Sequence, residues 1–222
     1  MVKRRVVILS AVALEARAIA LAWGLKCPEP GRPARSTGHA PIIEIHLIGI
    51  RARQLPGEPG EAPVAAIIMA GLAGALDPAL EIGDLVIDDC PADFIPPISH
   101  RVGRIVCSDA LVTTPADKQR LRDETGALAV DMESAAARAL AQAMKVPFIH
   151  IRGISDTAAE SLDPAIMHLV DGFGRPRPMS VAGTLLRRPR LVPQLAQLGR
   201  NAKIAAANLA AGVAAMVKQI GE

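Results

Sequence analysis

The sequence predicts a single α/β domain with a central mixed β-sheet flanked by helices. The continuous apolar run "VVILSA" at 6–11 is typical of a strand buried on both faces, and helical residues follow it directly. At least three such strand-to-helix transitions occur along the chain. The length of 222 residues is enough for one domain of this class with a substantial core.

About seven strands are predicted. Apolar runs indicate most of them, and the run "VAAIIMA" leads into a Gly-rich turn, "GLAGAL". In "PIIEIHLIGI" the apolar residues alternate with Glu44 and His46, which predicts a strand with one less buried face. The remaining strand predictions are "DLVIDD", "GRIVCSD", "ALAVD" and "VPFIHIRGISD".

Helices are predicted between and after these strands. The segment "PADKQRLRDETG" has Pro115 at its start and Gly126 at its end, the usual asymmetry of a helix. Another helix is expected to begin at about Met132, and a further one in "ESLDPAIMHLVDGF". The segments at 28–41 and 56–63, rich in Pro and Gly, are predicted loops.

The composition excludes several functional classes. With three Phe, one Trp and no Tyr, the chain lacks the aromatic platforms of proteins that stack single-stranded bases, so no nucleic-acid partner is expected. Cys27, Cys90 and Cys107 show no metal-binding spacing and are predicted to be buried thiols in a reducing compartment. No apolar run of about 18 residues is present, so neither a signal peptide nor a membrane span is expected. We therefore expect a cytoplasmic protein without a metal or cofactor.

Charge divides the chain into two parts. Residues 1–171, the predicted α/β core, carry a net charge of −4, whereas the largely helical segment 172–222 carries +7. The segment is expected to pack on the same domain. Two interpretations remain open: a helix that covers the sheet, or a peripheral contact with the anionic inner face of a membrane. The second would use Arg187, Arg188 and Arg190 with Leu185, Leu186 and Leu191.

Four carboxylates are predicted near one edge of the sheet: Glu15, Asp131, Glu133 and Asp156. Carboxylates can accept hydrogen bonds from the vicinal hydroxyls of a ribose, donate a proton and polarise a water. Together these steps describe hydrolysis of an N-glycoside. Each acid also has a structural interpretation, such as capping a helix, and for Asp131 the structural one is preferred.

Four motifs occur in the order found in the nucleoside phosphorylase and nucleosidase superfamily. They are "AVALEAR", "AGLAGALDPALEIGDLVI", "ALAVDMESAA" and "VPFIHIRGISD". The chain resembles the nucleosidase branch that includes methylthioadenosine/S-adenosylhomocysteine nucleosidase. The motif "TGALAVDMESAA" and the tail "RRPRLVPQLAQL" are most similar to the hopanoid-associated group, which is linked to removal of adenine from adenosylhopane.

The resemblance implies three catalytic residues. Asp156 matches the acid that protonates purine N7, and Glu15 matches the acid that positions the attacking water. Glu133, together with Met132, matches the pair that holds the ribose hydroxyls. The substrate implied is a purine nucleoside, with a lipid-linked adenosine among the candidates, and the assembly implied is a homodimer.

The resemblance also implies a set of substrate-binding residues. Leu111 and Val112 match a segment that contacts the base, and Arg152 matches an arginine close behind the acid loop. Gly71, in the Gly-rich turn, and Ser155, beside Asp156, complete the expected set.

Two departures from the superfamily leave the activity open. Phosphorylases of the superfamily carry an Arg before the Gly-rich turn, where this chain has Ile68, Met69 and Ala70, so water is favoured over phosphate as the nucleophile. Arg51 and Arg53 could still bind phosphate. The segment 51–64 contains three prolines and cannot hold the usual crossover helix. The alternatives are therefore a phosphate-dependent phosphorylase and a non-catalytic nucleoside- or lipid-binding protein.

Overall fold

The computed structural model describes residues 4–36, 38, 41–57, 62–90 and 98–221. The strands are β1 (Arg5–Ser10), β2 (Ala34–Ser36), β3 (Ile42–Leu47), β4 (Val64–Ala75), β5 (Leu85–Asp88), β6 (Arg101–Val102), β7 (Ile105–Cys107), β8 (Ala129–Asp131) and β9 (Phe148–Asp156). The helices are α1 (Ala13–Leu21), α2 (Pro115–Thr125), α3 (Ser134–Met144), α4 (Ile166–Leu169), α5 (Pro178–Arg187) and α6 (Leu191–Gly221).

The strands form one mixed sheet, which confirms the predicted fold class. Its main path runs β2-β3-β1-β4-β9-β5-β6. The central strands β3, β1, β4 and β9 are parallel, whereas β2 is antiparallel to β3 and β5 is antiparallel to β9. The carboxyl ends of the four parallel strands therefore meet at one edge, which we call the rim.

Strand β4 brings a fifth chain segment to the rim. Its far end, at Gly74 and Ala75, pairs antiparallel with β8, so β8 runs back towards the rim and ends there at Asp131. The prediction of a Gly-rich turn is wrong, because Gly71 and Gly74 both lie inside β4. The extra length of β4 provides the edge on which β8 is built.

Helices cover both faces of the sheet. On one face α6 packs against β9 and α1, and Leu209, Val213 and Met216 join the apolar core of the central strands. The contact is close at Gly153, where an added Cβ would lie 2.8 Å from the Ala205 carbonyl oxygen of α6. Helix α3 packs on the opposite face. Within the C-terminal segment, helix α6 thus packs against the central sheet.

Several local predictions need correction. Helix α3 begins at Ser134, two residues later than expected, because β8 extends to Asp131. The helix predicted in 160–173 is reduced to the single turn of α4. The three cysteines are free but half-buried. Glu44, expected on the less buried face of its strand, is 3% exposed because Arg5, Arg35 and His46 pair with it.

The loop predictions can be followed only in part. Between β3 and β4 the described residues 48–57 and 62–63 contain no helix, in agreement with the expectation for this segment, and 58–61 lie outside the described residues. Residues 37, 39 and 40 of the first predicted loop also lie outside them, as does 91–97, the Pro-rich segment after β5.

Candidate active site

The centre of the site is Arg152, whose side chain is completely buried in β9. Its guanidinium Nη2 forms an ion pair with Asp131 and lies 3.6 Å from Glu133 Oε2. Gly71 of β4 lies directly beneath, and a Cβ added there would come within 2.0 Å of Arg152 Nη1. Gly71, expected to bind substrate, is thus required by the guanidinium: any side chain at this position would displace it.

Asp131 neutralises the buried Arg152. Burial raises the pKa of the Asp131 carboxyl, but the Arg152 charge and hydrogen bonds from His150 and Ser134 outweigh it and hold the pKa well below its usual range. Asp131 Oδ1 also accepts a bond from the first backbone N–H of α3, at Ser134. The preferred structural interpretation of this acid agrees with these contacts, although they extend well beyond a helix cap.

His150 stabilises the same carboxylate. Its Nε2 lies 3.0 Å from Asp131 Oδ2, while its buried Nδ1 has no partner. Burial lowers the pKa of His150, so the ring is neutral and carries one N–H. Arg152 Nε donates a hydrogen bond of 3.1 Å to the same His150 Nε2, so this ring nitrogen lies between the guanidinium and the Asp131 carboxylate.

Glu15 lies on the first turn of α1 and is 3% exposed. Its carboxylate accepts hydrogen bonds from two backbone N–H groups, Val12 at 3.0 Å and Leu72 at 2.7 Å. Burial raises the pKa of Glu15 to about 7, and the nearby Arg152 charge and these two bonds only partly oppose this effect. Arg152 is already paired with Asp131, so its charge lowers the pKa of Glu15 only in part. Glu15 is therefore a buried carboxyl that can change its protonation state near neutral pH.

Glu133 lies on the opposite side of Arg152, at the residue that precedes α3. Its Oε1 accepts a hydrogen bond of 3.1 Å from the backbone N–H of Arg51. Arg51 has a φ of 60°, a strained conformation for a residue with a side chain, and this directs its N–H at Glu133. Burial raises the pKa of Glu133, and the Arg152 charge opposes the rise. The structure therefore brings Glu15, Glu133 and Arg152 together.

A β-bulge positions Asp156. The register between β4 and β9 runs residue by residue to Ala73 and Ile154, then skips Ser155, so that Asp156 pairs with Gly74. Asp156 is thus the last residue of β9, and not part of the acid loop that the resemblance implied. A Cβ at Gly74 would lie 2.9 Å from Asp156 Oδ2. Ser155 Oγ lies 3.1 Å from Asp156 Oδ1, so Ser155 contacts the acid itself.

Lys118 is a site residue that the sequence pattern did not predict. It is the one buried residue of α2, and its Nζ donates a hydrogen bond of 2.6 Å to Asp156 Oδ2. In the sequence it stands in a strongly charged helix between Asp117 and several arginines, where nothing distinguishes it from the solvent-exposed charges.

A small cavity of about 50 Å³ opens between Asp156 and Asp131. The half-buried Leu111, Val112 and Met132, all expected to bind substrate, line it together with Gly74 and Leu162. Its wall is therefore mostly apolar with the carboxylates of Asp131 and Asp156 at the edge, a surface suited to a flat heterocycle with a basic nitrogen.

A larger cavity of about 290 Å³ lies elsewhere, on the face of the sheet near α3. Glu44, His46, Leu140 and Met144 are among its lining residues, and none of the predicted site residues is. Nor do the described residues contain a cluster of three His, Cys, Asp or Glu side chains that could hold a metal ion.

Comparison with known proteins links this geometry to a superfamily. Residues 91–173 match the family model described as the phosphorylase superfamily. This part of the chain is similar to that superfamily. The matched segment includes Asp156, Arg152, Glu133 and Lys118, whereas Glu15 and the glycines of β4 lie outside it.

Two curated relatives match part of the chain. The 5′-methylthioadenosine/S-adenosylhomocysteine nucleosidase of Tolumonas auensis is 29% identical over 130 residues, which are 41% of this chain and 56% of the relative. The aminodeoxyfutalosine nucleosidase of Campylobacter jejuni is 28% identical over 134 residues, 44% of this chain and 58% of the relative. The match thus spans little more than half the length of each relative.

Solved structures share the fold over nearly the whole chain. The 5′-methylthioadenosine/S-adenosylhomocysteine nucleosidase of Helicobacter pylori superimposes with a TM-score of 0.67, at 19% identity, covering 99% of this chain and 100% of that one. A mutant of that enzyme, solved with 5′-methylthioadenosine in the active site, gives 0.66 at 19% identity, covering 97% and 99% of the two chains. The futalosine hydrolase of the same organism gives 0.63 at 20% identity, covering 97% and 98%.

The pKa of Glu15 can be tested through folding stability. A buried carboxyl with a raised pKa lowers stability as the pH rises from its unfolded value, near 4.5, to its folded value of about 7. Glu15→Gln removes this loss, so its stability relative to the parent should increase by about 3 kcal/mol between pH 4.5 and pH 8. Urea denaturation of both proteins across this range measures the difference.

Glu124→Gln, on the exposed face of α2, is the matched control for the substitution itself. If the stability difference between Glu15→Gln and the parent were the same at pH 4.5 and pH 8, the raised pKa of Glu15 would be wrong.

Proposed function

We propose that this protein is an N-glycosidase that releases adenine from a purine nucleoside. Its curated relatives are named as nucleosidases, and the fold agrees with that of solved nucleosidases. The observation that carries the proposal is that two separate groups of acidic side chains lie on the same rim. Glu15 and Glu133 flank Arg152, while Asp156 borders an apolar cavity beyond them.

The base would occupy the apolar cavity, with Asp156 as the general acid. Leu111, Val112 and Met132 would contact the faces of the ring, and Ser155 would orient the acid. When the bond between C1′ and N9 breaks, its electron pair moves to the purine. Asp156 then supplies a proton to N7, so that the base leaves as a neutral molecule.

The sugar would lie between this cavity and Glu15. Gly71 and Gly74 are three residues apart on β4, which is roughly 10 Å along a strand. A Cβ added to Gly71 would lie 3.0 Å from Glu15 Oε1, and one added to Gly74 would lie 2.9 Å from Asp156 Oδ2. This separation leaves room for a ribose ring. Glu133 would accept hydrogen bonds from the ribose hydroxyls. Glu15 would position a water and take its proton as the oxygen bonds to C1′, with Arg152 holding both carboxylates in place.

Water is the nucleophile that this site favours. A phosphate would need cationic or N–H donors beside the ribose. In the middle of β4 the residues before Gly71 are the buried Ile68, Met69 and Ala70. Arg53 is exposed, and its guanidinium packs against Gly172. A phosphorylase that uses Arg51 or Arg53 is the alternative, and its requirement for phosphate distinguishes it from a hydrolase.

The substituent at the 5′ position of the ribose is the part in which the candidate substrates differ. The names of the relatives point to methylthio, homocysteine and futalosine-type groups. The resemblance to the hopanoid-associated group adds a hydrophobic substituent, as in adenosylhopane. All these nucleosides share the base and ribose that the rim would bind, so we propose adenosine derivatives as the class.

We expect the purified protein to release adenine from at least one of 5′-methylthioadenosine, S-adenosylhomocysteine or an adenosine with an aliphatic 5′ chain, without phosphate. Asp156→Asn should lower the rate at least 100-fold with the fold retained, because the leaving base then receives no proton from this residue. Chromatography of the free base measures both effects, and Asp123→Asn on α2 serves as the control.

Strict dependence on phosphate, with ribose 1-phosphate as the product, would show a phosphorylase instead. Nucleoside binding without base release under any condition would show the non-catalytic alternative. Full activity of Asp156→Asn would overturn the assignment of the acid.

We also propose that the C-terminal segment contacts an anionic membrane surface and that the protein is a cytoplasmic homodimer. None of the helices in the described part of the chain is long and apolar enough to cross a membrane. Helix α5, however, has no buried residue, and Met179 and Leu186 on it are 86% exposed. The exposed Arg187 ends α5, and the exposed Arg190 follows three residues later. An exposed helix with apolar and basic side chains is suited to the surface of anionic lipids.

Sedimentation with vesicles tests this contact. We expect binding to phosphatidylserine-containing vesicles and not to pure phosphatidylcholine, and about 30-fold weaker binding for the double variant Arg187→Gln/Arg190→Gln. The double variant Arg200→Gln/Lys203→Gln removes the same charge from α6 and should bind as the parent does. Equal loss in both variants, or no binding to anionic vesicles, would contradict a docking site on α5.

A further inference from the structure

Lys118 is a fully buried lysine whose ammonium has three acceptors. Its Nζ lies 2.6 Å from Asp156 Oδ2, 2.6 Å from the carbonyl oxygen of Thr157 and 3.2 Å from that of Glu160. A buried ammonium is stable only when its charge and its N–H groups are paired, and here both conditions are met.

Helix α2 is built so that this lysine points inward. Thr114 caps the helix by accepting a bond from the Asp117 N–H, and Pro115 occupies the first turn. Lys118 directly follows Asp117 and is the helix's single buried side chain. The chain just before the cap lines the apolar cavity, and Leu162 N–H bonds to the Thr113 carbonyl at 2.8 Å. Thus α2 fixes both the wall of the cavity and the ammonium at its edge.

Both oxygens of the Asp156 carboxylate are held by neighbours. Lys118 donates to Oδ2, and Ser155 Oγ lies 3.1 Å from Oδ1. Gly74 allows this close packing, since a Cβ there would lie 2.9 Å from Oδ2. The orientation of the carboxylate relative to the cavity is therefore set by Lys118 and Ser155 together.

We propose that Lys118 is a positioning residue that makes Asp156 an effective proton donor. This inference rests on the proposed function. In the structure Asp156 is the carboxylate partner of Lys118, so it must first take up a proton from solvent on Oδ1 when the substrate binds. As the C1′–N9 bond breaks and its electrons pass to the base, this proton moves to N7 and the carboxyl returns to its charged form. An ammonium at 2.6 Å binds a carboxylate more strongly than a neutral carboxylic acid, so its stabilisation grows as the proton is transferred. Lys118 thereby favours the transition state over the bound substrate.

A purely structural role for Lys118 makes a different prediction. Two of its three bonds go to the backbone of the segment after β9, so it also ties that segment to α2. Loss of such a tie would disturb the cavity for every substrate alike. A role through Asp156 should matter only when the leaving group needs a proton.

The test compares two substrates that differ in this need. Adenine in 5′-methylthioadenosine leaves with a proton from the acid, whereas 4-nitrophenyl β-D-ribofuranoside releases a stable phenolate without one. We expect Lys118→Met to lower kcat for 5′-methylthioadenosine at least 100-fold and kcat for the nitrophenyl riboside less than about threefold. Lys118→Arg should restore part of the first activity. Lys203→Met, at an exposed position of α6, should leave both unchanged.

The double variant Lys118→Met/Asp156→Asn covers the case in which Lys118→Met alone does not fold, because it leaves no unpaired charge. If Lys118 acts through Asp156, this variant should have the same kcat for 5′-methylthioadenosine as Asp156→Asn. A further loss of tenfold or more, an equal loss on both substrates, or full activity of Lys118→Met would overturn the inference. A parent protein that releases no base from any nucleoside would instead refute the proposed function, and the inference with it.

Discussion

The ion pair between Arg152 and Asp131 is the constraint on which the rest of the site depends. Both side chains are buried, and removing one partner of such a pair typically costs about 3–5 kcal/mol. To accommodate the guanidinium, β4 has a glycine at position 71, and β8 runs antiparallel to β4 so that Asp131 reaches the rim. His150 completes the arrangement, because its Nε2 lies 3.0 Å from the Asp131 carboxylate and 3.1 Å from Arg152 Nε. A buried arginine thus explains features on three different strands.

This pair also determines the chemistry of its neighbours. Because Asp131 takes most of the Arg152 charge, burial dominates at Glu15 and Glu133 and raises the pKa of each. Asp156 has a cation of its own, Lys118, on a different helix. The rim therefore contains two electrostatic units: one in which burial raises the pKa of Glu15, to about 7, and of Glu133, and one in which the Asp156 carboxylate is paired with the Lys118 ammonium. The proposed reaction needs both kinds of group, a proton acceptor near the water and a proton donor near the base.

The sequence predicted the parts of this structure that depend on local pattern. Continuous apolar runs indicated β1, β4 and β9, and the Pro115 and Gly126 signals indicated α2, because burial and capping act over a few residues. The features that it missed depend on distant partners. The bulge at Ser155 appears only when β9 pairs with β4, and Lys118 resembles any charged helix residue until β9 is placed beside it. The glycines of β4 resembled a turn in the sequence. They make room for the side chains of Arg152 and Asp156, which come about 80 residues later in the chain.

The most direct test of this account is the titration of Glu15 itself, followed by the carbon-13 NMR signal of its side-chain carboxyl. The account predicts a midpoint near pH 7 in the parent protein. In Asp131→Asn the Arg152 charge loses its main partner and acts more strongly on Glu15, so the midpoint should fall by a unit or more. A midpoint near 4.5 in the parent, or the same midpoint in both proteins, would contradict the claim that Asp131 neutralises Arg152 and leaves Glu15 as a base.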